Sequence, residues 1–216
     1  MVTFDFAKRS GPRKVLCLGA HCDDIEIGCG GTILRWLAEQ PAMDFYWVVF
    51  SSDRERRKEA LRSSEAFLRG ARKKKICVED FRNGFFPYIA TDIKDYFEDL
   101  KQRFSPDIVL THCRDDRHQD HRLLSDLTWN TFRQHTILEY EIPKYDGDLG
   151  QPNLFVHLDE QVCRHKVRNL LEFFKSQRDK HWFTEDALRA LLRLRGVESA
   201  APERNAEAFY CRKMLL

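Results

Sequence analysis

Residues 15–24 read Val-Leu-Cys-Leu-Gly-Ala-His-Cys-Asp-Asp, and this stretch determines the fold that we expect. Its first six residues are apolar or small, which is typical of a strand buried inside a sheet. A histidine and two aspartates follow within four residues, where the strand ends. Ligands of open α/β sheets bind in the crevice at the carboxyl ends of the strands. The stretch therefore predicts a buried first strand with a polar site at its end.

The rest of the chain alternates segments typical of strands with segments typical of helices. After a first strand at 14–20, β-branched and aromatic residues predict strands at 45–51, 75–78, 107–111 and 137–142. Apolar residues at helical spacing predict helices at 30–40, 55–69, 93–104, 121–132, 159–176 and 184–195. This alternation indicates an α/β protein with a Rossmann-like, mostly parallel sheet that carries helices on both faces.

Length and charge suit one globular domain. We expect residues 1–216 to form a single domain, in which 144–216 elaborate the C-terminal part. The formal net charge of +2 is too near neutral to indicate a nucleic-acid partner. The one dense basic run, at 72–75, is interpreted as a solvated turn before a strand.

Cysteine usage and hydropathy indicate a cytoplasmic protein. Seven scattered cysteines without a Cys-x-x-Cys pair predict free thiols, not a disulfide framework or a zinc knuckle. No run approaches the roughly 20 apolar residues that a membrane span needs. Residues 1–13 lack the apolar core of a signal sequence. The sequence leaves the oligomeric state open, and a homo-oligomer is compatible with it.

A second polar cluster, Asp-Arg-His-Gln-Asp-His at 116–121, follows the fourth predicted strand. Zinc binds imidazole nitrogen and carboxylate oxygen, and a catalytic zinc site needs only three protein ligands. His21 and Asp24 of the first cluster can supply two of them, and His121 can supply the third. Asp23 is then free to take a proton from a water molecule. The two clusters together predict a catalytic metal site.

Two further residues of the second cluster, His118 and Asp120, are candidates for a catalytic role. His118 would act as an acid or base, with Asp120 holding its ring. The simpler alternative is that both clusters are acid-rich helix N-termini with exposed histidines. A nucleotide-binding loop is a weaker alternative, because Gly-Cys-Gly-Gly at 28–31 matches neither G-x-G-x-x-G nor a P-loop. We interpret these glycines as positions where the backbone packs closely.

The two clusters also resemble the motifs of a known family. Residues 20–24 read Ala-His-Cys-Asp-Asp, Glu26 follows, and 29–32 read Cys-Gly-Gly-Thr. This order resembles the Ala-His-Pro-Asp-Asp, Glu and Cys-Gly-Gly-Thr of the PIG-L/LmbE-like zinc-dependent de-N-acetylases. Residues 116–121 resemble the Asp-x-His-Pro-Asp-His of the same family. Weaker similarities at 62–66, 166–177 and 207–209 extend the resemblance over nearly the whole chain.

The resemblance implies a metal-dependent site. It makes His21, Asp24 and His121 the zinc ligands. It makes Asp23 the general base for a metal-bound water. Iron(II) and cobalt(II) also suit a site with two imidazoles and one carboxylate.

The resemblance also implies roles around the metal. His118 with Asp120 would serve as acid or oxyanion stabiliser, and Arg62 would contact the substrate. Cys22 and Gln119 stand where the family has proline, so the two loops are expected to differ in rigidity. A Cys22 thiolate beside the site would be able to bind metal or be oxidised, although a bystander role is the preferred interpretation.

The resemblance implies removal of an N-acetyl group from a small-molecule amino sugar, such as N-acetylglucosamine, or from a sugar conjugate. One alternative is a zinc hydrolase that acts on another small N-acyl amide. The other is a non-catalytic, nucleotide-binding Rossmann-like protein, and the absent phosphate-binding fingerprint counts against it.

Overall fold

Seven strands within the described residues form one sheet. The computed structural model describes residues 13–40 and 42–214. The strands are β1 (Arg13–Gly19), β2 (Met43–Val49), β3 (Lys73–Val78), β4 (Ile108–His112), β5 (Thr136–Tyr140), β6 (Leu154–His157) and β7 (Ala206–Tyr210). Their order across the sheet is β3-β2-β1-β4-β5-β7-β6. Strands β1 to β5 pair in parallel, whereas β7 is antiparallel to both β5 and β6.

Six α-helices in the described ranges cover both faces of this sheet. They are α1 (Asp24–Glu39), α2 (Arg54–Phe67), α3 (Ala90–Arg103), α4 (Gln119–Thr131), α5 (Glu160–Phe173) and α6 (Glu185–Glu198). Helices α1, α2, α5 and α6 share one apolar core, which includes Trp47 and Leu170. Helices α3 and α4 cover the other face, around Phe50 and Phe97. The predicted α/β, Rossmann-like class is confirmed.

The winding of the sheet reverses between β1 and β4. Strands β2 and β3 lie on one side of β1, whereas β4 and β5 lie on the other. In open α/β sheets, ligands bind beside such a reversal, at the carboxyl ends of the strands. The first polar cluster follows β1 and the second follows β4. The topology therefore brings together two clusters that are about 100 residues apart in sequence, as between His21 and His121.

The start of α1 differs from the sequence-based expectation. The helix begins at Asp24, not at residue 30, although each glycine in a helix costs about 1 kcal/mol relative to alanine. Close packing accounts for these glycines. A Cβ at Gly28 would lie 2.2 Å from the ring of Tyr140, and one at Gly30 would lie 2.6 Å from the ring of Phe67. The expected close approach of the backbone occurs inside the helix.

Two strands at the edge of the sheet, β6 and β7, are absent from the sequence-based prediction. Strands β6 and β7 have only four and five residues, too few for a clear alternating pattern. Strand β7 lies between β5 and β6, so the C-terminal part of the chain completes the same sheet.

The structure also bears on the predictions of free thiols and of no membrane span, for the residues that it describes. All seven cysteines are free, which confirms the predicted free thiols. Among residues 13–40 and 42–214, no helix combines the length and apolar character needed to cross a bilayer. The expected lack of a signal sequence falls almost wholly on residues 1–12, which lie outside the described part.

A buried ion pair joins α1, α5 and β7. Glu207 accepts hydrogen bonds from the backbone N–H of Gly31 at 2.8 Å and of Thr32 at 2.6 Å. The ammonium of Lys166 lies 2.6 Å from Glu207 Oε1 and donates to the carbonyl of Ile27, also at 2.6 Å. The Lys166 and Glu207 side chains are 4% and 3% exposed, so neither charge has water as an alternative partner.

Removing Glu207 is expected to destabilise the fold strongly. Glu207→Ala leaves the Lys166 ammonium buried without its carboxylate, which should lower the free energy of unfolding by about 3–5 kcal/mol. Urea denaturation followed by circular dichroism measures this change. Glu172→Ala, at an exposed position on α5, is the matched control. Equal stability of the two variants would contradict the structural role given to Glu207.

Candidate metal centre

Three predicted ligands converge at the reversal point between β1 and β4. His21 Nδ1 lies 3.1 Å from His121 Nε2 and 3.4 Å from Asp24 Oδ2. His121 Nε2 lies 3.5 Å from the same Asp24 oxygen. Zinc–nitrogen and zinc–oxygen bonds of about 2.0–2.2 Å place neighbouring atoms of a tetrahedral shell about 3.3–3.6 Å apart. The spacing and chemistry of these three atoms therefore fit a zinc ion.

A carboxylate lies behind each of the two imidazoles. His21 Nε2 is 3.3 Å from Asp120 Oδ2, and His121 Nδ1 is 2.9 Å from Asp116 Oδ2. These contacts place the ring protons on the nitrogens that face the carboxylates, an arrangement inferred from the hydrogen-bond network. The other two nitrogens face the cluster. Metal-binding histidines usually donate their second N–H to a carboxylate or carbonyl in this way.

The three side chains of the cluster differ in charge. Burial lowers the pKa of His21, but the carboxylates of Asp24 and Asp120 outweigh it and raise the pKa to about 9. Burial and the neighbouring His112 lower the pKa of His121 to about 3. Burial opposes ionisation of Asp24, yet the surrounding histidines hold its pKa well below the usual range. The cluster thus presents one carboxylate and one neutral imidazole, together with a proton on His21 that a metal ion would replace.

His112, which the sequence-based site does not include, supports two of the ligands. It is fully buried at the end of β4, and its Nε2 lies 3.2 Å from Asp24 Oδ2. The same nitrogen accepts the backbone N–H of Ala20 at 3.0 Å. Its ring stacks on that of His121, with centroids 3.9 Å apart. A histidine at the last position of a strand, before the second motif, is the sequence signal that marks this residue.

The cluster offers two other groups of three donors. One consists of His21, His118 and His121, and the other of Asp24, His112 and His121; in each, the donor atoms lie within 4.8 Å of one another. In the predicted set of His21, Asp24 and His121, no separation between the donor atoms exceeds 3.5 Å.

Asp23 lies beside the three donors and holds one uncommitted oxygen. Its Oδ1 accepts a hydrogen bond from Arg56 Nη2 at 2.7 Å, whereas its Oδ2 is buried with no hydrogen-bond partner among the described residues. Burial raises the pKa of Asp23, and the Arg56 guanidinium opposes that rise. A buried oxygen without a partner suits a group that accepts a proton from a bound molecule.

The arginine that reaches the site is Arg56, not the Arg62 expected from the resemblance. Arg62 is exposed on α2 and lines a groove with Phe173 and Lys175 on the side of α5. Six residues of α-helix correspond to a rotation of about 240°, so the two arginines leave α2 in different directions. The run of arginines at 54–57 obscures this choice in the sequence.

Asp120 supports a different histidine from the one expected. Its carboxylate faces His21 and accepts the backbone N–H groups of Gly84 at 2.6 Å and Phe86 at 3.1 Å. Only the backbone N–H of Asp120 contacts His118, donating to Nδ1 at 3.2 Å. The reason is the helix start: His118 caps α4, and this places its ring against the backbone of the first turn.

Cys22 and Gln119, which stand where the family has proline, form hydrogen bonds to different loops. The thiol of Cys22 is buried and donates to the carbonyl of Ser51 at 3.4 Å. Burial raises the pKa of Cys22 well above its ordinary value, so the residue is a thiol at neutral pH. Gln119 donates from Nε2 to the carbonyl of Gly84 and ties the loop after β3 to α4. Neither residue belongs to the group of three donors.

Glu26 of the first motif is completely buried on α1. Burial raises its pKa well above the ordinary value.

Residues 16–132, more than half of the chain, match the sequence model of the PIG-L family, which is described as GlcNAc-PI de-N-acetylase. The matched range contains both polar clusters and Arg56. No curated protein matches the sequence.

Several solved structures share the fold. TT1542, a conserved protein of Thermus thermophilus, is 20% identical with a TM-score of 0.72, over 94% of this chain and 96% of that one. N,N'-diacetylchitobiose deacetylase of Pyrococcus horikoshii is 22% identical with a TM-score of 0.63, over 91% and 82%. GalB, the 4-carboxy-2-hydroxymuconate hydratase of Pseudomonas putida KT2440, is 18% identical with a TM-score of 0.72, over 94% and 98%. A deacetylase and a hydratase share this fold, so the fold alone does not select a reaction.

Proposed function

We propose that this chain, which belongs to the PIG-L family of GlcNAc-PI de-N-acetylases, hydrolyses the N-acetyl group of an amino sugar or sugar conjugate with a bound zinc ion. The observation that carries the proposal is the close set of His21 Nδ1, Asp24 Oδ2 and His121 Nε2, with an uncommitted Asp23 oxygen beside it. Three protein donors leave a coordination position free for substrate or water, as catalytic zinc sites require.

A metal ion and Asp23 would have different roles in the attack of water on the acetamide. A zinc ion held by His21, Asp24 and His121 supplies Lewis acidity, which polarises a carbonyl and lowers the pKa of water. Asp23 takes a proton from the attacking water through Oδ2, while Arg56 holds its other oxygen in place. Attack on the acetamide carbonyl forms a tetrahedral intermediate with a negative oxygen.

His118 is placed to stabilise that oxygen as a neutral donor. Its Nδ1 accepts a hydrogen bond from the backbone of Asp120, which leaves the ring proton on Nε2. Burial lowers the pKa of His118. A neutral imidazole donates its N–H to a developing oxyanion but has no second proton to give. We therefore assign protonation of the leaving amine to Asp23, which holds the proton taken from the water.

The descriptions of the family and of one structural neighbour support this substrate class. The family is described as GlcNAc-PI de-N-acetylase, and the Pyrococcus horikoshii neighbour is an N,N'-diacetylchitobiose deacetylase. Both descriptions concern an acetamide on an amino sugar. Another small N-acyl amide would use the same site, and the hydratase neighbour sets a different reaction as the comparison that an assay has to exclude.

The test is acetate release by the zinc-loaded protein from a panel of N-acetylated compounds. The panel holds free N-acetyl amino sugars, sugar conjugates and N-acetyl amino acids, with an unsaturated hydroxy acid as substrate for a hydratase. We expect acetate and free amine in equal amounts from the sugars. Turnover of N-acetyl amino acids alone would move the assignment to another amide. Hydration with no acetate released from any compound would contradict deacetylation.

Arg56 and Arg62 form a matched pair for testing the site. Arg56→Met removes the hydrogen bond to Asp23 and is expected to lower kcat/KM by about 10–100-fold, whereas Arg62→Met leaves kcat/KM unchanged. Because Arg56 opposes the rise in the pKa of Asp23, its loss should also move the acidic limb of the pH–kcat/KM profile to higher pH. Steady-state assays across pH measure both effects. A larger loss for Arg62→Met would restore the arginine expected from the resemblance.

A further inference from the structure

Helices α2 and α5 together carry an exposed surface rich in cations. Seven side chains make up this α2–α5 surface: Arg54, Lys58, Arg62, Arg69, Arg164, Arg168 and Lys175. None of the seven side chains has an ion-pair or hydrogen-bond partner within 13–40 and 42–214. Elsewhere, cations such as the half-buried Arg35 and the exposed Arg103 pair with an acid one helical turn away. The exposed acids on the same two helices, Glu55, Glu65 and Glu172, are fewer than these seven cations, so the surface carries an excess of positive charge.

The two helices form one surface without a break. Ser176, just after α5, binds Glu59 of α2 through its N–H at 3.0 Å and its hydroxyl at 2.5 Å. A groove of about 580 Å³ between the helices includes Arg54, Lys58, Arg62 and Lys175 in its lining. A second groove of about 830 Å³, between α5 and α6, includes Arg164, Arg168 and Arg178. Glu172 lines both grooves, so they lie on either side of α5.

The positive potential extends from one helix to the other. His165 lies on α5, and burial lowers its pKa. The charges of Arg168 on α5 and of Arg69, just after the end of α2, lower it further. The cations of the two helices therefore act on the same region of space.

The side chains among these cations favour a lipid surface over a nucleic acid. Single-stranded nucleic acids bind where aromatic side chains stack on the bases along a basic groove. The residues that line the two grooves include one aromatic side chain, Phe173, which is half-buried. In contrast, Leu61 projects from α2 between Lys58 and Arg62 and is 38% exposed. Basic helices with exposed apolar side chains bind at the boundary of headgroups and acyl chains.

We propose that the α2–α5 surface docks this protein on a bilayer that contains anionic phospholipids. Each Lys or Arg near an anionic leaflet adds to the attraction, and several together are needed for binding. The surface also reaches the edge of the sheet that holds the metal centre, because α2 begins at Arg54, after the carboxyl end of β2. Docking would bring the site close to the bilayer.

The test is co-sedimentation of the full chain with vesicles of phosphatidylcholine, with and without phosphatidylserine. We expect binding only when phosphatidylserine is present, and weaker binding as salt is added. The double variants Lys58→Glu/Arg62→Glu and Arg164→Glu/Arg168→Glu should each lower the partition coefficient by at least about tenfold. Lys101→Glu/Arg103→Glu, two exposed changes on α3 across the sheet that alter the net charge by the same amount, is the matched control and should bind as the natural protein does. Circular dichroism checks that each variant is folded.

Three outcomes would overturn the proposal. The first is that the natural protein fails to bind vesicles with phosphatidylserine. The second is that Lys101→Glu/Arg103→Glu loses as much binding as the other double variants, which would mean that net charge alone matters. The third is that the natural protein binds single-stranded RNA more tightly than vesicles and the same variants abolish that binding. None of these readouts depends on deacetylation, so they are separate from the test of the proposed function.

Discussion

Replacing Asp23 with alanine is expected to lower kcat/KM for deacetylation by about 10²–10⁴-fold, the usual contribution of a general base, while the bound metal is retained. Asp23 is 3% exposed, and its Oδ2 has no hydrogen-bond partner in the described part of the chain. It is therefore free to take a proton. The three donors lie within 3.5 Å of one another without its help. Metal analysis and acetate release from the same protein preparation measure the two properties together.

The isosteric variant separates the charge of Asp23 from its shape. Asp23→Asn keeps the volume and one oxygen that Arg56 can bind, but the amide cannot take the proton of the water. We expect it to lose nearly as much activity as Asp23→Ala and to keep its metal. Turnover close to that of the natural protein in either variant would exclude Asp23 as the base. Loss of metal in both would make Asp23 a ligand instead.

Replacing Asp24 with alanine is expected to abolish metal binding and, with it, activity. Asp24 Oδ2 lies between His21 Nδ1 and His121 Nε2, and it also accepts the backbone N–H of His21 at 2.6 Å. Its removal takes away the only negative charge among the three donors and one of the hydrogen bonds that orient His21. Metal content of the purified variant, before and after incubation with zinc, gives the result directly.

An exposed aspartate near the second motif provides the control for Asp24. Asp115 pairs with Arg212 on the surface and is one residue from Asp116. Asp115→Ala should bind metal and release acetate as the natural protein does. If Asp24→Ala retained one zinc ion with unchanged affinity, the set of three donors would be wrong, and the group of His21, His118 and His121 would be the first to consider.

Local sequence patterns predicted the strands around the site and the three donors because the information is local. A buried strand followed by His-x-Asp-Asp places its polar residues at the sheet edge, whatever the rest of the chain does. The partners of those residues depend on contacts between distant segments. Arg56 reaches Asp23 across 33 residues and Asp120 reaches His21 across 99, and no periodicity records either contact.

The glycines of α1 also show that local sequence patterns do not predict contacts between distant segments. By propensity they argue against a helix. Contacts with residues far along the chain, such as the rings of Tyr140 and Phe67, explain why these helical positions have no Cβ. The short strands β6 and β7 likewise depend on the edge that β5 offers. In each case tertiary packing supplies what the local pattern lacks.

The most direct test is a crystal structure of the zinc-loaded protein with anomalous diffraction data at the zinc edge. The account predicts one strong anomalous peak within about 2.0–2.2 Å of His21 Nδ1, Asp24 Oδ2 and His121 Nε2, with Asp23 Oδ2 facing the remaining coordination position. A peak bound by Asp24, His112 and His121, or no peak at this edge of the sheet, would contradict the metal centre described above.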